Sequence, residues 1–381
     1  MSGPLDRPAD RWRIVVHAMD RTGPPMLALA FARWVHRTHP EVAVDLVAFR
    51  GGPLLTQAEA RWPVHVVLDD EEPWDGAAAH PARAEVLRAG LAVLPEADVT
   101  LLVSVAAGQV LELLPPQRGP VVTWSVEIGE DLHWVRDGIG LIEHTSTWLA
   151  GSQATADALS ALGIASVTQV PEFIDPGPPA DAAARVDCRR QLGAGPDDLL
   201  VVGAGIGTHR KGIDLFAECA AQWARTGGRP ARFVWIGGVR DPLYPLVEEE
   251  LRRPELAHMG LLPGVADIEL WLGAADVLLH PARADAFPLT CLHAALAGTP
   301  VVAFGGVGGV PEMFGAAFVG APFPDLVALV GALHRLVDPE VRSQVAAEQR
   351  TAASAFTAEV AAPVLARALT EAQQPRREGG R

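Results

Sequence analysis

The chain has 381 residues, of which 49% are hydrophobic and 20% are charged, a composition sufficient for two domains with buried cores and not typical of a disordered chain. Its 31 basic and 46 acidic residues give a formal net charge of −15, which disfavours binding to nucleic acid or to an anionic membrane surface. The three cysteines lie far apart and without paired spacing, so the sequence predicts neither a disulfide framework nor a zinc motif.

The sequence pattern shows no targeting or membrane-spanning segment. The first residues lack the apolar core of a signal peptide, and no apolar run reaches the roughly 20 residues that cross a bilayer. We therefore expect a cytoplasmic protein without integral membrane association. Since no metal-ligand cluster, Walker loop or Ser-His-Asp hydrolase motif is evident, we also expect no bound metal and no cofactor.

In the first half of the chain, short apolar runs alternate with helical patterns. The predicted strands are Ile14–Ala18, Val42–Phe49, Val64–Leu68, Val99–Val105, Val121–Val126 and Trp148–Ala150, and the predicted helices include Pro24–Arg37, Ala82–Ala89 and Gln153–Leu162. Such alternation is typical of parallel strands joined by crossover helices. A Pro/Ala/Gly-rich stretch, Pro176–Ala184, is predicted to link this half to the next.

A second alternating series follows the predicted linker. Its strands are Leu199–Ala204, Phe233–Ile236, Met259–Leu262, Val277–His280 and Val301–Phe304, and its helices are Gly212–Arg225, Leu243–Arg252, Ile268–Gly273 and Leu289–Ala297. From Pro324 the pattern is helical to about Ala372, and the last seven residues are predicted to be a frayed tail. Two Rossmann-like halves in series predict a ligand at the carboxyl ends of their strands.

The segment Val201–Phe216 is the first that is suited to bind a phosphate. A buried strand runs into a loop containing Gly205 and Gly207, after which Arg210 and Lys211 precede a helix. Two cations beside free helix N–H groups favour a diphosphate site. An ordinary strand-to-helix turn with solvated basic residues explains the same pattern equally well.

The segment Leu270–Glu312 contains strand, loop, helix, strand and a glycine-rich turn. Asp285 lies in the loop, eight residues before His293 in the helix, and the turn carries Gly308, Gly309 and Glu312. Glycine allows backbone N–H groups to approach a phosphate closely, although a tight left-handed turn also favours it. Asp285 also suits a loop or helix-capping role, and His293 also suits a partly buried structural position.

Two segments of the first half contain further candidate residues. His17 lies near the end of the first predicted strand, Asp20, Thr22 and Gly23 follow that strand, and Glu127 follows the fifth. A carboxylate such as Glu127 can orient a hydroxyl or act as a weak base, whereas an acid in a solvent-facing loop has no such role. By itself, a histidine after an apolar strand is more often structural than catalytic.

These segments together resemble family 4 glycosyltransferases. The resemblance is carried by R-K-G-I-D-L-F from Arg210, by G-G-V-P-E ending at Glu312, and by an opening H-x-x-x-x-T-G-x-P pattern from His17. It implies the GT-B fold, an α/β architecture of two Rossmann-like domains with parallel sheets facing a central cleft. The expected domains are 1–175 on the acceptor side, 176–354 on the donor side, and a C-terminal helix in 355–381 that crosses back to the first domain.

The resemblance also implies roles for the candidate residues. Arg210 and Lys211 would hold the donor diphosphate, and Asp285 would lie near the sugar hydroxyls. Gly205, Gly207, His293, Gly308, Gly309 and Glu312 would bind the donor, His17, Asp20, Thr22 and Gly23 would lie on the acceptor side, and Glu127 would lie near the reacting sugar. The chain departs from the family pattern at Ile206, where arginine is common, at Val126, where histidine is common, and at His293, where glutamate is usual.

The resulting hypothesis is a retaining, metal-independent glycosyltransferase. It would move a sugar from a nucleotide-diphosphate sugar, its co-substrate, to a hydroxyl of a small-molecule or saccharide acceptor. Two alternatives remain open at the sequence level. One is a nucleotide-sugar epimerase on the same fold, and the other is a partner or regulatory protein whose catalytic site has decayed, which the three departures favour.

Overall fold

A computed structural model describes residues 10–68, 73–115, 119–136, 140–177, 181–227, 229–237 and 243–374. The chain divides into two compact units. Unit 1 comprises Met1–Asp175 together with Ala358–Arg381, and unit 2 comprises Pro176–Thr357. Each unit contains one sheet, and all strand pairs within both sheets are parallel.

Unit 1 contains a seven-stranded sheet in the order β3-β2-β1-β4-β5-β6-β7. The strands are β1 (Arg11–Ala18), β2 (Ala43–Arg50), β3 (Val64–Leu68), β4 (Val99–Val103), β5 (Val121–Ser125), β6 (Thr147–Ala150) and β7 (Val167–Gln169). The helices from its first segment are α1 (Gly23–Thr38), α2 (Leu55–Glu59), α3 (Pro81–Leu91), α4 (His133–Arg136), α5 (Leu141–His144) and α6 (Gln153–Ala161). The strand order reverses between β1 and β4.

Unit 2 contains a six-stranded sheet in the order β10-β9-β8-β11-β12-β13. The strands are β8 (Leu199–Ala204), β9 (Ala231–Ile236), β10 (Met259–Leu262), β11 (Val277–His280), β12 (Val301–Gly305) and β13 (Gly320–Pro322). The helices are α7 (Ala182–Gln191), α8 (Ile213–Arg225), α9 (Leu243–Glu250), α10 (Ile268–Ala274), α11 (Leu289–Leu296), α12 (Val310–Phe314), α13 (Leu326–Arg335) and α14 (Pro339–Ala353). Here the order reverses between β8 and β11.

The last helix, α15 (Ala358–Gln373), belongs to unit 1. It packs against α1 and β4, and its first backbone N–H donates to the carbonyl oxygen of Ile174 at 2.7 Å. Arg37 of α1 donates to Glu359 at 2.6 Å. Within the described ranges, no helix has both the length and the apolar character needed to cross a bilayer.

The burial of the strands is typical of parallel sheets. Strands β1, β2, β4, β5, β8 and β11 are buried along most of their length, as expected for strands covered by helices on both faces. The strands predicted from the sequence in both halves are confirmed, whereas the three-residue strands β7 and β13 were not predicted. The predicted end of the linker at Ala184 is wrong, because helix α7 has already begun there and Asp181 caps it by accepting a hydrogen bond from the Ala184 N–H. Residues 178–180 of the predicted linker lie outside the described ranges.

Candidate functional site

The candidate site of unit 2 lies where the strand order reverses. Strand β8 ends at Ala204 and strand β11 ends at His280, and these neighbouring strands are parallel, so their carboxyl ends meet at one edge of the sheet. In open α/β sheets this position is where ligands bind. The loops that leave β8, β11 and β12 at this edge contain most of the predicted donor-site residues.

The loop after β8 brings Lys211 to this edge. Gly205 has a φ of 142°, and the Lys211 stem lies close to the position where a Cβ of Gly205 would be. Gly212 has a φ of 74° at the start of α8, and a Cβ there would overlap the carbonyl oxygen of Pro281. Gly207 is buried in the same loop. The loop after β8 is thus packed closely against the loop after β11.

Lys211, Asp285 and His280 form one cluster. The Lys211 ammonium Nζ lies 2.6 Å from Asp285 Oδ2, and His280 Nε2 lies 3.1 Å from the same oxygen. The imidazole is not aligned for a regular hydrogen bond, although the two atoms are in contact. Asp285 is 7% exposed and His280 is 4% exposed, so the cluster is largely buried. Lys211 is the only lysine among the 381 residues.

The carboxyl of Asp285 is held in its ionised form. Burial by itself would raise its pKa, but the charge of Lys211, the contact with His280 and the charge of Arg210 outweigh burial, so the pKa of Asp285 lies well below its usual range. At neutral pH this side chain therefore accepts hydrogen bonds and cannot donate one.

Arg210 lies beside the same cluster. Its Nη1 donates to the carbonyl oxygen of Ala284 at 3.0 Å and lies 3.9 Å from Asp285 Oδ1. A second arginine, Arg283, donates to both carboxylate oxygens of Asp214, at 2.8 and 2.7 Å, which joins the loop after β11 to α8. Sequence reasoning missed this bidentate pair. The only signal for it in the sequence is the presence of two opposite charges, and they lie 69 residues apart.

The glycine-rich turn after β12 packs directly on Asp285. The Asp285 N–H donates to Val307 at 3.1 Å, and the Gly309 N–H donates to the Asp285 carbonyl at 3.2 Å. Gly308 has a φ of 151°, and a Cβ at Gly308 or Gly309 would overlap the backbone of residues 285 and 286. These two glycines are therefore required by packing within the loop cluster. Glu312 lies in the first turn of α12.

His293 has a partner that the sequence did not indicate. Its Nδ1 lies 3.1 Å from Glu269 Oε1, and the pair connects α11 to α10. Burial lowers the pKa of His293, while the charge of Glu269 opposes that shift in part, so the ring is mainly neutral at pH 7. His293 is 6% exposed, which agrees with the alternative of a buried structural histidine. The described contacts do not join it to Lys211 or Asp285.

In unit 1, three of the predicted residues meet after β1. Thr22 donates to Asp20 through its hydroxyl at 2.5 Å and through its backbone N–H at 3.0 Å, and its hydroxyl lies 3.5 Å from His17 Nε2. Burial lowers the pKa of His17, against the opposing charge of Asp20. Helix α1 begins at Gly23. The end of β1 and the loop after it therefore place a neutral imidazole and a carboxyl side by side at the carboxyl end of the sheet.

Glu127 is anchored at the carboxyl end of β5. Its Oε2 accepts hydrogen bonds from the Val126 N–H at 2.9 Å, the Ser125 hydroxyl at 3.1 Å and the Val105 N–H at 3.3 Å. Burial raises the pKa of Glu127, although these hydrogen bonds act in the opposite direction. Sequence reasoning missed the neighbouring Ser104, whose φ of 89° is unusual for a residue other than glycine and is a form of strain found often at functional sites.

Groups of three or more metal-ligating side chains do not occur within the described part of the chain. The free cysteines Cys188, Cys219 and Cys291 are all buried. The candidate chemistry of unit 2 thus consists of one ammonium, one or two guanidinium groups, a buried carboxylate and backbone N–H groups. Such a set is suited to hold an anion.

Comparison with known families agrees with this geometry. Residues 196–338 match the family Glycosyl transferases group 1. This match covers Lys211, Asp285 and the glycine-rich turn of unit 2, and it supports the resemblance inferred from the sequence.

Curated relatives carry related descriptions. A 2-deoxystreptamine glucosyltransferase of Streptomyces kanamyceticus is 30% identical over 200 residues, which cover 51% of this chain and 48% of that protein. A D-inositol 3-phosphate glycosyltransferase of Actinosynnema mirum is 32% identical over 184 residues, or 43% of this chain and 42% of that protein. The chain thus spans about half the length of the curated relatives that it matches.

Solved structures match over nearly the whole chain. HepE of Anabaena, in complex with UDP and glucose, has a TM-score of 0.76 at 19% identity and covers 95% of this chain and 100% of its own. WaaG, a glycosyltransferase involved in lipopolysaccharide biosynthesis, has a TM-score of 0.72 at 16% identity and covers 94% of this chain and 99% of its own. At these identities the likeness shows the fold, and the predicted GT-B fold with two Rossmann-like domains is confirmed.

Proposed function

We propose that this protein is a retaining glycosyltransferase that moves a sugar from a nucleotide-diphosphate sugar to an acceptor hydroxyl without a metal ion. One observation carries the proposal. Within the residues that match the family, Lys211 and Arg210 lie beside Asp285 and the glycine-rich turn at the carboxyl ends of β8, β11 and β12. Retention and metal independence are supported by the resemblance of the R-K-G and G-G-V-P-E motifs to family 4 enzymes.

In this proposal, Lys211 and Arg210 neutralise the charge that develops on the departing nucleotide diphosphate. Cations placed in advance at a developing anion stabilise the transition state more than the ground state. In the structure Lys211 is paired with Asp285, so the diphosphate competes with that carboxylate for the ammonium. Asp285, ionised, would accept hydrogen bonds from sugar hydroxyls.

The acceptor would be bound by residues of unit 1. Glu127, with a pKa raised by burial, and the His17–Asp20–Thr22 group offer acceptors for the hydroxyl that attacks the sugar. We propose a small molecule or a saccharide as acceptor, and a cytoplasmic location. The names of the relatives support a glucosyl donor as the first to test, because one relative is a glucosyltransferase and one structural neighbour was solved with UDP and glucose.

Ligand-induced stabilisation tests the donor assignment. UDP-, GDP-, ADP- and dTDP-sugars are added separately, and the melting temperature is recorded. A ligand that binds only the folded protein stabilises it by about 2.7 kcal/mol at a concentration one hundred times its Kd. We expect one nucleotide class to raise the melting temperature, and a complete lack of stabilisation by the panel would contradict the proposal.

The single lysine allows a direct test of the site. Selective ¹⁵N labelling of lysine side chains yields one ammonium signal, that of Lys211. The nucleotide that stabilises the protein should shift this signal, whereas a nucleotide that does not stabilise it should leave the signal in place. Transfer to a hydroxyl acceptor is then measured with the active donor, and formation of an epimer from the donor alone would favour the epimerase alternative instead.

A further inference from the structure

Asp285 has two partners for its negative charge, and they share one oxygen atom. Lys211 Nζ lies 2.6 Å from Oδ2 and His280 Nε2 lies 3.1 Å from it. If one partner moves away, the other remains in contact with the carboxylate. The identity of the partner that can move decides how the cluster responds to a ligand.

Lys211 is the mobile partner. Its side chain is 21% exposed, and its ammonium is carried on a flexible four-carbon stem. His280 is the last residue of β11, where it pairs in register with Ala303 of β12, and its Nε2 is inaccessible to solvent. An anion at the edge of the sheet can therefore attract the ammonium of Lys211, but it cannot displace the imidazole.

Departure of Lys211 creates an electrostatic imbalance. A buried carboxylate that loses its cation is strongly destabilised. A proton from solvent restores the balance if it adds to the free ring nitrogen of His280, because the imidazolium then faces the Asp285 carboxylate. Lys211 keeps all its protons and contacts the phosphate, so the net change is the gain of one proton by the ring.

We propose that His280 gains a proton when the donor's diphosphate draws Lys211 away from Asp285, so that binding of a nucleotide sugar takes up a proton from solvent. His280 is then a positioning residue, since it acts on the site through Asp285 and does not touch the donor. The inference rests on the proposed function, because it requires that Lys211 binds the diphosphate.

Other ionisable groups around this pair are accounted for. Arg210 lies 3.9 Å from Asp285 and is also a candidate contact of the diphosphate. Burial and the charge of Asp285 raise the pKa of the Cys291 thiol on α11 well above its usual range, so that it stays neutral. Arg283 is paired with Asp214. Histidine is the side chain that ordinarily gains a proton between pH 5 and 8. Of the histidines in these loops, His280 contacts Asp285, whereas His209 is exposed beside Arg210. Asp285 itself is the other group that can take the proton, and the His280→Gln variant described below separates both from His280.

Calorimetry in several buffers tests the inference. Binding of UDP-glucose, or of the nucleotide sugar that stabilises the protein, is measured at pH 7 in phosphate, HEPES and Tris, and the observed enthalpy is plotted against the buffer's ionisation enthalpy. A nucleotide sugar is used because neither of its phosphates titrates near neutral pH. We expect proton uptake on binding, and an affinity that falls as pH rises, by up to tenfold for each unit of pH where uptake is near one proton.

Two variants complete the test. His280→Gln has an amide nitrogen near the position of Nε2 and cannot gain a proton, so it should bind without proton uptake and with a flatter pH profile. His334→Gln, on α13, is the matched control and should behave as the wild type. Uptake that persists in a folded His280→Gln variant would overturn the inference.

The wild-type measurement decides the inference even where the variant does not fold. Binding without proton uptake overturns the role of His280 and leaves the proposed function intact. Failure of every nucleotide sugar in the panel to bind overturns the proposed function, and this inference with it.

Discussion

Lys211 combines three properties that a leaving-group contact needs. It is cationic, it lies at the carboxyl ends of β8 and β11, and its ammonium is held 2.6 Å from a buried carboxylate. Because Asp285 is ionised, it holds the ammonium at this end of the sheet before a ligand arrives. In the proposed mechanism this pairing has a cost, because Asp285 needs another partner for its charge when Lys211 turns to the diphosphate.

Replacement of this lysine is the first prediction. Lys211→Ala should lower turnover by about 10²-fold or more, as is typical for loss of one group that stabilises a developing anion. Steady-state kinetics with the active donor measures the effect. Arg190→Ala removes an exposed cation from α7 in the same unit and should leave turnover unchanged, and near-normal turnover of Lys211→Ala would contradict the assigned role.

A second prediction concerns the raised pKa of Glu127. The pKa of this carboxyl is higher in the folded state than in the unfolded state. Its contribution to the stability of the fold is therefore complete at a pH below the unfolded pKa, and it is lost as the pH rises through the folded pKa. Glu127→Gln removes the penalty for burying the charge. From about pH 4 to pH 8, the denaturation midpoint of Glu127→Gln should therefore rise relative to that of the wild type.

The neighbouring acid provides the control for that measurement. Glu130 is exposed in the same segment, so Glu130→Gln should keep a nearly constant difference from the wild type across the same pH range. A Glu127→Gln midpoint that falls relative to wild type as pH rises would show that the buried carboxylate stabilises the fold when charged. Activity of the variant would separately report its role at the acceptor.

At the scale of elements, three loops build the donor-side site by contacting one another. The turn after β12 pairs with Asp285 through two backbone hydrogen bonds, and Arg283 joins the loop after β11 to α8. Glycine is needed where these loops touch, because a side chain would enter the neighbouring backbone. The glycines of this turn thus shape the anion site by fixing the position of Asp285.

Gly308→Ala tests this packing. Its φ of 151° disfavours a side chain, and the new Cβ would overlap the Asp285 carbonyl, so we expect destabilisation of about 1–3 kcal/mol or more together with weaker nucleotide binding. Chemical denaturation measures the stability. Gly331→Ala, inside α13 with open space around it, is the matched control and should be neutral or stabilising by up to about 1 kcal/mol. Equal effects in the two variants would argue against the packing role.

At the scale of the whole molecule, the chain returns to its first unit at the end. Helix α15 packs on α1 and β4, and Leu365 and Leu369 are fully buried on its inner face. Unit 1 is therefore assembled from two segments that are 182 residues apart in the sequence, namely those ending at Asp175 and beginning at Ala358. The stability of unit 1 therefore depends on helix α15, which follows unit 2 in the sequence but does not belong to it.

Leu369→Ala should thus destabilise unit 1 selectively. Removal of a buried leucine side chain costs about 2–5 kcal/mol, and the loss falls on the unit that contains it. Hydrogen exchange followed by peptide mass analysis should show faster exchange in β1, β4 and α1, with little change in β8 and β11. Val360→Ala, at a position 55% exposed on the same helix, is the control. Uniform loss of protection in both units would contradict this division.

The strands and most helices were predictable because their signals are local. Val201–Ala204 and Val277–His280 are short, apolar and followed by turn residues, and such runs form buried strands whatever the details of packing. The R-K-G and G-G-V-P-E motifs likewise predict a phosphate site from neighbouring residues alone, and that site stays a prediction. The short strands β7 and β13 were missed because three residues carry too little periodicity to be separated from loops.

The partners inside the site could not be predicted, because no local sequence pattern shows which side chains meet when loops and helices pack together. His280 is the last residue of β11 and ends an apolar run in the sequence, yet it contacts Asp285, the carboxylate that Lys211 neutralises from 74 positions earlier in the chain. Likewise, nothing in the sequence indicated that Glu269 meets His293. The sequence by itself determined the two Rossmann-like domains and the positions of the glycine-rich loops, since hydrophobic period and turn chemistry are local properties. Only the tertiary structure decided which charges share a buried carboxylate, because burial and distance arise when separate loops pack together.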